Sequence, residues 1–180
     1  MALVVVKVGG SLYDLPNLGD KLRSFLAGLT PDAVLVVPGG GLTADAIRAL
    51  DRDQALGPTA SHWLSLRACA VNAHFLSLLL GLPVVEWPTD EAAVLDPYSF
   101  ALRDEGCEGA LPHGWDATSD SVAARVAEVA GSALVLLKSV PMEPNPDWEA
   151  AAAAGQVDPL FAGIVRRAGL AVQAVDFRAT

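Results

Sequence analysis

The stretch Lys7-Val8-Gly9-Gly10-Ser11-Leu12 decides which fold the sequence predicts. The residues that lead into it, from Leu3 to Val8, form a run rich in β-branched side chains, which is typical of a buried strand. Beyond it, leucine and phenylalanine recur at helical spacing between positions 18 and 29. The sequence therefore predicts a strand, a glycine turn and a helix in immediate succession.

A turn of this kind is typical of an anion-binding site. Glycine lets the backbone approach an oxyanion closely, and the N–H groups at a helix start carry partial positive charge. Lys7, near the end of the strand, would add a full positive charge to the same hollow. The alternative is that Gly9 and Gly10 only make a tight turn and that Lys7 is a solvated residue at the strand end.

A second unit of the same kind follows. The apolar run 33–37 leads into Pro38-Gly39-Gly40-Gly41, and a helix is predicted from Thr43 to Asp53. Such repetition is expected of a parallel α/β sheet. Residues 39–44 also fit the dinucleotide-binding pattern G-x-G-x-x-A, but the next strand reaches its acidic residue, Glu86, far too late to hold a ribose. A Rossmann dehydrogenase is therefore disfavoured.

The remaining segments continue the alternation of strands and helices. A long apolar helix is predicted over 60–80, further helices over 119–130, 148–154 and 158–168, and strands over 82–87, 133–137 and 170–175. Segment 90–108 is predicted to be irregular, with a hairpin or a short helix as alternatives. We expect an α/β fold, a three-layer α/β/α sandwich around a mainly parallel sheet, with residues 1–180 forming a single domain.

Three turns should meet at one edge of this sheet, because the carboxyl ends of parallel strands lie together and ligands bind there. Lys7 and Lys138 both end predicted strands at that edge, and Asp120 lies in the first turn of the helix that Thr118 or Ser119 caps. Two ammonium groups, glycine amides and a carboxylate that orients the lysines suit the transfer of a phosphoryl group. Alternatively, Asp120 only complements its helix dipole and Lys138 is solvated.

Composition limits the classes of partner. The net charge of -9 argues against non-specific binding of nucleic acid or of an anionic membrane. Two cysteines without a C-x-x-C motif favour the cytoplasm, and the N-terminus lacks the cationic region of a signal peptide. The apolar runs are predicted to be too short or too interrupted to span a bilayer. The helix over 60–80 is apolar on most sides, so we expect a homodimer that covers it.

Three motifs together resemble the amino acid kinase family, the fold of carbamate, acetylglutamate, aspartate and uridylate kinases. They are Lys7–Leu12, Val37–Gly41 and Trp115–Ala124, and their order and spacing match the family over most of the chain. Within the family the chain is most similar to small members near an archaeal kinase of methanofuran biosynthesis. It shares with them Ser61-His62-Trp63 and the Trp-Asp-x-Thr-Ser-Asp run that begins at Trp115.

The resemblance implies a carbamate kinase-like fold and an enzyme that uses ATP. By this resemblance, Lys7 would contact the transferring phosphoryl group and Asp120 would orient the catalytic lysine. Mg²⁺ would be carried mostly by phosphate oxygens, so no metal ligands are predicted in the protein. His113 is a candidate substrate contact, and its alternative is a hydrogen bond within its loop. The complete predicted site comprises, for catalysis, Lys7, Asp120 and Lys138; for ATP, Gly9, Gly10, Ser11 and Ser119; and for the acceptor, Gly39, Gly40, Gly41 and His113.

Two departures from the family leave activity open. Many members carry Gly-Gly-Met-x-x-Lys near the C-terminus, whereas this chain has the segment 155–160 with Leu160 at the lysine position. The nucleotide loop, usually Asp-x-x-Gly-Val, is Lys138-Ser-Val-Pro-Met here. Either Lys138 supplies the missing charge, or turnover is weak or absent. The predicted function is phosphoryl transfer from ATP to a phosphate, carboxylate or hydroxyl of a small acceptor. The alternative is a non-catalytic protein that binds a nucleotide or metabolite.

Overall fold

The computed structural model describes residues 3–29, 33–143 and 146–180. The strands of these ranges are β1 (Leu3–Val8), β2 (Ala33–Pro38), β3 (Val84–Val85), β4 (Ala93–Leu95), β5 (Ala133–Lys138) and β6 (Val172–Asp176). The α-helices are α1 (Leu18–Gly28), α2 (Gly41–Gln54), α3 (Pro58–Leu80), α4 (Pro97–Asp104), α5 (Ser119–Ala130), α6 (Trp148–Ala153) and α7 (Phe161–Ala168). A short 3-10 helix, Gly10–Leu12, follows β1.

The strands form one sheet in the order β3-β4-β2-β1-β5-β6, and every neighbouring pair is parallel. Apolar side chains alternate between its two faces, as the period of a strand requires: in β1, Val5 packs with α5 and α7, and Val6 packs with α1 and α3. Both faces are therefore covered by helices. The predicted α/β/α sandwich is confirmed, and its sheet is parallel throughout the described residues.

The strand order places the predicted site. On one side of β1 lie β2, β4 and β3, in that spatial order. The chain then crosses to the opposite side of β1, where it forms β5 and β6. Such a reversal opens a crevice beyond the carboxyl ends of the central strands. Those ends are held in register: Lys7 pairs with Val37 of β2 and with Leu136 of β5. The residues that follow these three strands therefore meet at one edge.

The segment 90–108 differs from the irregular stretch that the sequence predicts. It contains β4, which pairs in parallel with both β2 and β3, and α4, whose first turn is capped by the carboxylate of Asp96. The short-helix alternative is confirmed and the hairpin is wrong. Because β4 has three residues, all buried, it leaves no alternation to detect. Strand β3 is likewise shorter than the predicted 82–87.

Helix α3 is long and apolar enough to cross a membrane by length and composition alone, with a mean hydropathy of 1.3 in its most apolar window. The expectation that no apolar run reaches that length is therefore wrong. This is weak support for a membrane span, because core helices of globular folds pass the same test. Here the helix packs on α1, α2, α4 and the sheet, and it buries the polar residues Ser61, His62 and Asn72.

Candidate active site

The two glycine turns are packed against each other, backbone to backbone. A Cβ added to Gly10 would lie 2.1 Å from the amide nitrogen of Gly41, and one added to Gly39 would lie 2.4 Å from the nitrogen of Gly10. Gly41 itself has a φ of +52°, in the left-handed region that glycine adopts readily. The glycines are thus required first for the close approach of the two turns, which brings the ends of β1 and β2 together.

A buried amide on α3 holds the second turn in place. The side-chain nitrogen of Asn72 donates to the carbonyl oxygens of Gly39 and Gly40 at 2.8 and 2.7 Å, and it lies 2.8 Å from the hydroxyl oxygen of Thr43. The hydroxyl of Tyr13 also donates to the Gly39 carbonyl, at 2.9 Å. The Gly40 carbonyl also accepts from the amide of Ala44 and the hydroxyl of Thr43, so both carbonyl groups of the turn are fully hydrogen-bonded. Sequence reasoning gave Asn72 no role in the site.

Lys7, Asp120 and Lys138 form one buried charged cluster. Lys138 Nζ donates to Asp120 Oδ2 at 2.8 Å and to the carbonyl oxygen of Gln156 at 2.7 Å. Lys7 Nζ lies 2.8 Å from the other carboxylate oxygen, Oδ1, but out of line for a hydrogen bond. The exposed fractions of the three residues are 4%, 7% and 8% in chain order. The chain has only three lysines, and two of them share this one carboxylate.

The charges in the cluster change the acidity of its members. Burial by itself would raise the pKa of Asp120, but the ammonium groups of Lys7 and Lys138 outweigh it and hold that pKa below its ordinary value. Burial, followed by repulsion from Lys7, lowers the pKa of Lys138, while Asp120 and Asp158 oppose the shift. The carboxylate is therefore ionised at neutral pH, and it is the group that permits two ammonium ions to lie so close together.

A cavity of about 230 Å³ adjoins the cluster. Of the predicted site residues, Gly10, Ser11, Gly40, Gly41 and Ser119 line it. Gly9 and Gly39 do not, and their amides already donate to strand carbonyls, those of Leu137 and Val8. None of the three charged residues lines the cavity, although Ser119, which does, directly precedes Asp120.

The opposite wall of the cavity carries residues that sequence reasoning missed. Asp45 and Arg48 project from α2 and pair at 3.0 Å, and the guanidinium of Arg48 lies 4.8 Å from the centre of the Trp115 ring. The indole nitrogen of Trp115 donates to Asp51 at 2.7 Å, which fixes the ring. Acidic and basic residues three apart on a helix are common on solvated faces, so the sequence held no signal for Asp45 and Arg48. Trp115, by contrast, begins the third motif of the sequence.

His113 lies apart from the cavity. Its ring stacks on that of His62 with 4.9 Å between the centroids, and its nitrogens lie within 3.3 Å of the Thr59 hydroxyl and the Glu105 carboxylate. Burial, followed by the charge of His113, lowers the pKa of His62. These contacts match the alternative of a hydrogen bond made by the loop, and the structure gives His113 no contact with the cavity lining.

A second buried carboxylate, Asp158, lies beside the cluster and was missed in the sequence. It accepts hydrogen bonds from the amides of Thr118 and Ser121 at 3.0 and 2.9 Å, and from the Thr118 hydroxyl at 2.8 Å. The first turn of α5 is predicted to help bind phosphate, and two of the amides at its start thus already donate to a carboxylate of the protein itself. Within the described ranges, no group of three His, Cys, Asp or Glu side chains is placed to hold a metal ion.

Comparison with known proteins agrees with this architecture. No family model matches the chain. The (5-(aminomethyl)furan-3-yl)methyl phosphate kinase of Methanocaldococcus jannaschii is 26% identical over 127 residues, which cover 66% of this chain and 56% of that protein. The chain therefore matches little more than half the length of this curated relative.

Three solved structures share the fold. The uridylate kinase of Archaeoglobus fulgidus has a TM-score of 0.63 at 18% identity and covers 97% of this chain and 90% of its own. The UMP kinase of Bacillus anthracis gives 0.62 at 12% identity, with coverages of 98% and 87%. The aspartate kinase of Synechocystis gives 0.63 at 16% identity, with coverages of 96% and 38%. The predicted resemblance in fold to uridylate and aspartate kinases is therefore confirmed.

Proposed function

We propose that the protein is an ATP-dependent kinase of a small molecule and that its acceptor is a phosphate monoester. The observation that carries the proposal is the buried cluster of Lys7, Asp120 and Lys138 beside a cavity lined by two glycine turns. Phosphoryl transfer depends on well-placed positive charge and on the exclusion of water from the site more than on covalent catalysis by the protein. The cluster and the turns are suited to both needs.

Each part of the cluster has a distinct task in this proposal. Lys7, whose contact with Asp120 Oδ1 is out of line, is the ammonium free to turn toward a phosphoryl oxygen. Lys138 is held by two aligned hydrogen bonds and supplies a fixed positive charge. Asp120 holds the two ammonium groups close together by placing a negative charge between them. During transfer the bond between the γ-phosphorus and the ADP oxygen breaks as the acceptor oxygen bonds to phosphorus.

The missing C-terminal lysine is compensated in this proposal by Lys138. Its Nζ reaches the carbonyl of Gln156, inside the segment 155–160 where many family members carry the second lysine. Lys138, at the end of β5, thus supplies a positive charge to the segment in which Leu160 replaces the usual lysine. ATP would lie against Gly10, Ser11 and Ser119, where the absence of glycine side chains lets phosphate approach the backbone.

The choice of a phosphate monoester acceptor follows the relatives that are named above. Three of them, the aminomethylfuranyl-methyl phosphate kinase, the uridylate kinase and the UMP kinase, are named for acceptors that already bear a phosphate. In this chain the guanidinium of Arg48 lines the cavity and suits a dianionic group. The aspartate kinase keeps a carboxylate acceptor as the competing class.

Turnover with Mg-ATP is the test. Wild-type protein should form ADP with at least one acceptor from a panel of uridylate, (5-(aminomethyl)furan-3-yl)methyl phosphate, aspartate and simple alcohols. Lys7→Met and Lys138→Met should each lower kcat by on the order of 100-fold or more. Lys21→Met is the matched control, because it removes the remaining lysine, which lies over the Phe177 ring away from the cavity. Equal rates in all three variants would sink the proposal.

A non-catalytic binding protein is the second candidate. It is favoured by Leu160 at the lysine position and by the tight engagement of Lys138 with Asp120 and Gln156. Calorimetry separates the two functions. Binding of Mg-ATP by the wild type without ADP formation from any acceptor of the panel supports the binding protein, and ADP formation excludes it.

We also propose a cytoplasmic homodimer that is formed through α3. Outward-facing apolar residues follow one stripe of this helix, and Val71 and Leu78 are 61% and 85% exposed. A surface of this kind is usually covered by a partner. Sedimentation of the wild type should give a dimer, and Val71→Glu with Leu78→Glu should give a folded monomer. A monomeric wild type at micromolar concentration contradicts this part of the proposal.

A further inference from the structure

The carboxylate of Asp158 accepts hydrogen bonds from residues at the start of two helices. Its Oδ2 accepts from the amides of Thr118 and Ser121 in α5, and its Oδ1 accepts from the hydroxyl of Ser121 and from the amide of Phe161 at 3.2 Å. The residue is 7% exposed. These are the N–H groups that a helix leaves without internal partners, so one side chain satisfies the first turns of both α5 and α7.

The two segments that Asp158 joins are also the two that hold Lys138. Thr118 and Ser121 flank Asp120, which accepts from Lys138 through Oδ2. Gln156, two residues before Asp158 in the chain, accepts from the same ammonium through its carbonyl. Val157 between them is 4% exposed and packs in the core, so the spacer has little freedom. Both partners of Lys138 are therefore anchored by one carboxylate.

We propose that Asp158 is a positioning residue: it ties segment 155–160 to the first turn of α5 and thereby sets where Lys138 holds its charge. Asp158 does not itself line the cavity, although it accepts hydrogen bonds from Thr118, which does. Its oxygens accept from Thr118, Ser121 and Phe161 rather than from Lys138, so it acts on the lysine through Asp120 and the Gln156 carbonyl. Its kinetic consequence rests on the proposed kinase function, whereas its structural consequence does not.

The charge balance agrees with this role. With Asp158, two buried carboxylates face the two buried ammonium groups of Lys7 and Lys138. Asp158 also opposes the lowering of the Lys138 pKa that burial and Lys7 cause. A buried group of charges is stable only when each is paired or hydrogen-bonded, and here Asp158 completes the set.

The isosteric change Asp158→Asn isolates this role. The carboxylate accepts from three backbone amides, those of Thr118, Ser121 and Phe161, and a backbone amide cannot reverse its direction. An asparagine offers one acceptor oxygen, so at least one amide would face an NH₂ group. The contact between segment 155–160 and α5 should therefore weaken, and Lys138 should lose its fixed place.

The primary measurement is the NMR signal of the lysine ammonium groups in the full chain, which contains three lysines. A buried and hydrogen-bonded ammonium exchanges slowly enough to give a signal, and Lys138→Met identifies which signal it is. In Asp158→Asn the Lys138 signal should shift or disappear. The matched control is Asp147→Asn, which removes a similar carboxylate cap, bonded to the amides of Glu149 and Ala150, from the exposed start of α6. The control should leave the signal unchanged.

The second measurement is steady-state kinetics with Mg-ATP at a temperature where every variant is folded. Asp158→Asn should lower kcat by on the order of 10- to 100-fold with KM for Mg-ATP within about threefold, because misplacement by an ångström has effects of that size. Asp147→Asn should keep wild-type kcat. If Asp158→Asn does not fold, Ser121→Ala, which removes one of the five donors, takes its place with a smaller loss expected.

The outcomes separate the two claims. An unchanged Lys138 signal in Asp158→Asn, or equal effects of Asp158→Asn and Asp147→Asn on kcat, overturns the positioning role. A wild type without turnover contradicts the proposed function alone, and the ammonium signal then decides the role of Asp158 by itself.

Discussion

The Nζ atom of Lys138 lies 2.8 Å from Oδ2 of Asp120, and both side chains are buried. They come from consecutive elements, the first turn of α5 and the end of β5, and β1, the direct neighbour of β5, brings Lys7 to the same carboxylate. Breaking a buried ion pair by removing one partner leaves an uncompensated charge, which is far more costly than the pair is worth.

Asp120→Asn should destabilise the fold, because it leaves the ammonium groups of Lys7 and Lys138 together without an anion. We expect the free energy of unfolding to fall by about 3 kcal/mol at pH 7, measured by urea denaturation. Because the folded pKa of Asp120 is lowered, its contribution is present above the unfolded value of 3.8 and is lost as pH falls through the folded pKa. The difference between variant and wild type should therefore shrink on strong acidification.

The control for this change is Asp116→Asn, the same substitution at an exposed position just before α5. It should change the free energy of unfolding by less than about 0.5 kcal/mol at either pH. Equal stability losses at positions 116 and 120 would show that the buried cluster contributes nothing specific.

Activity should fall on the alkaline side earlier than an ordinary lysine would allow. Burial and the neighbouring charge of Lys7 lower the pKa of Lys138 from 10.5, with Asp120 and Asp158 opposing the shift. As pH rises through this lowered pKa, the fixed charge is lost and kcat should decrease. The pH profile of kcat and the ¹³Cε shift of Lys138 should follow one titration. A Lys138 shift that titrates only at 10.5 or above contradicts the prediction.

Because the two glycine turns lie so close together, we expect alanine to have opposite effects on stability at Gly10 and at Gly163. Gly10→Ala places a methyl group against the backbone of Gly41 and should cost about 3 kcal/mol of stability together with most of the activity. Gly163→Ala is the control, since a Cβ there meets nothing within 4 Å and the residue lies inside α7. It should stabilise the fold by about 0.5 to 1 kcal/mol in thermal or urea unfolding. Destabilisation by both substitutions would contradict this interpretation.

The convergence of Lys7, Asp120 and Lys138 could be predicted from the sequence, because it depends on a general rule. Apolar runs identify the strands, and the carboxyl ends of parallel strands meet at one edge. Strand β4 could not be predicted, since its three residues carry no periodicity. Its place between β2 and β3 depends on pairing with β2, whose residues lie far away in the chain.

The supporting side chains of the site could not be predicted either. Asn72 contacts a turn 33 residues away, and Asp158 contacts α5 across 37 and 40 residues. In the sequence Asn72 is a polar residue on an apolar helix, and Asp158 is an ordinary Asp-Pro start of a helix. Their roles come from tertiary packing, for which a local pattern gives no signal. The same holds for Arg48, whose guanidinium lies over the Trp115 ring on the cavity wall.

The two cysteines should differ sharply in reactivity. Burial raises the pKa of Cys69 to about 12, and the side chain lies behind the second glycine turn, whereas Cys107 is exposed. A thiol reagent at pH 7.5 should label Cys107 rapidly and Cys69 only after unfolding. Cys107→Ser should then show no fast phase. Rapid labelling of the Cys107→Ser protein would mean that a reagent reaches Cys69 through the cavity that it lines.

In Asn72→Asp, the hydrogen bonds that hold the second glycine turn should become dependent on pH. The amide donates to the carbonyls of Gly39 and Gly40, and a carboxylate in its place would face those oxygens with a negative charge. Because only the protonated acid can donate, the variant's stability should rise as pH falls, opposite in sign to the behaviour predicted for Asp120. Urea unfolding between pH 5 and pH 8 measures this, with Asn17→Asp at an exposed position as the control. A variant whose stability is independent of pH, or a control that changes equally, would show that Asn72 does not hold the turn through its donors.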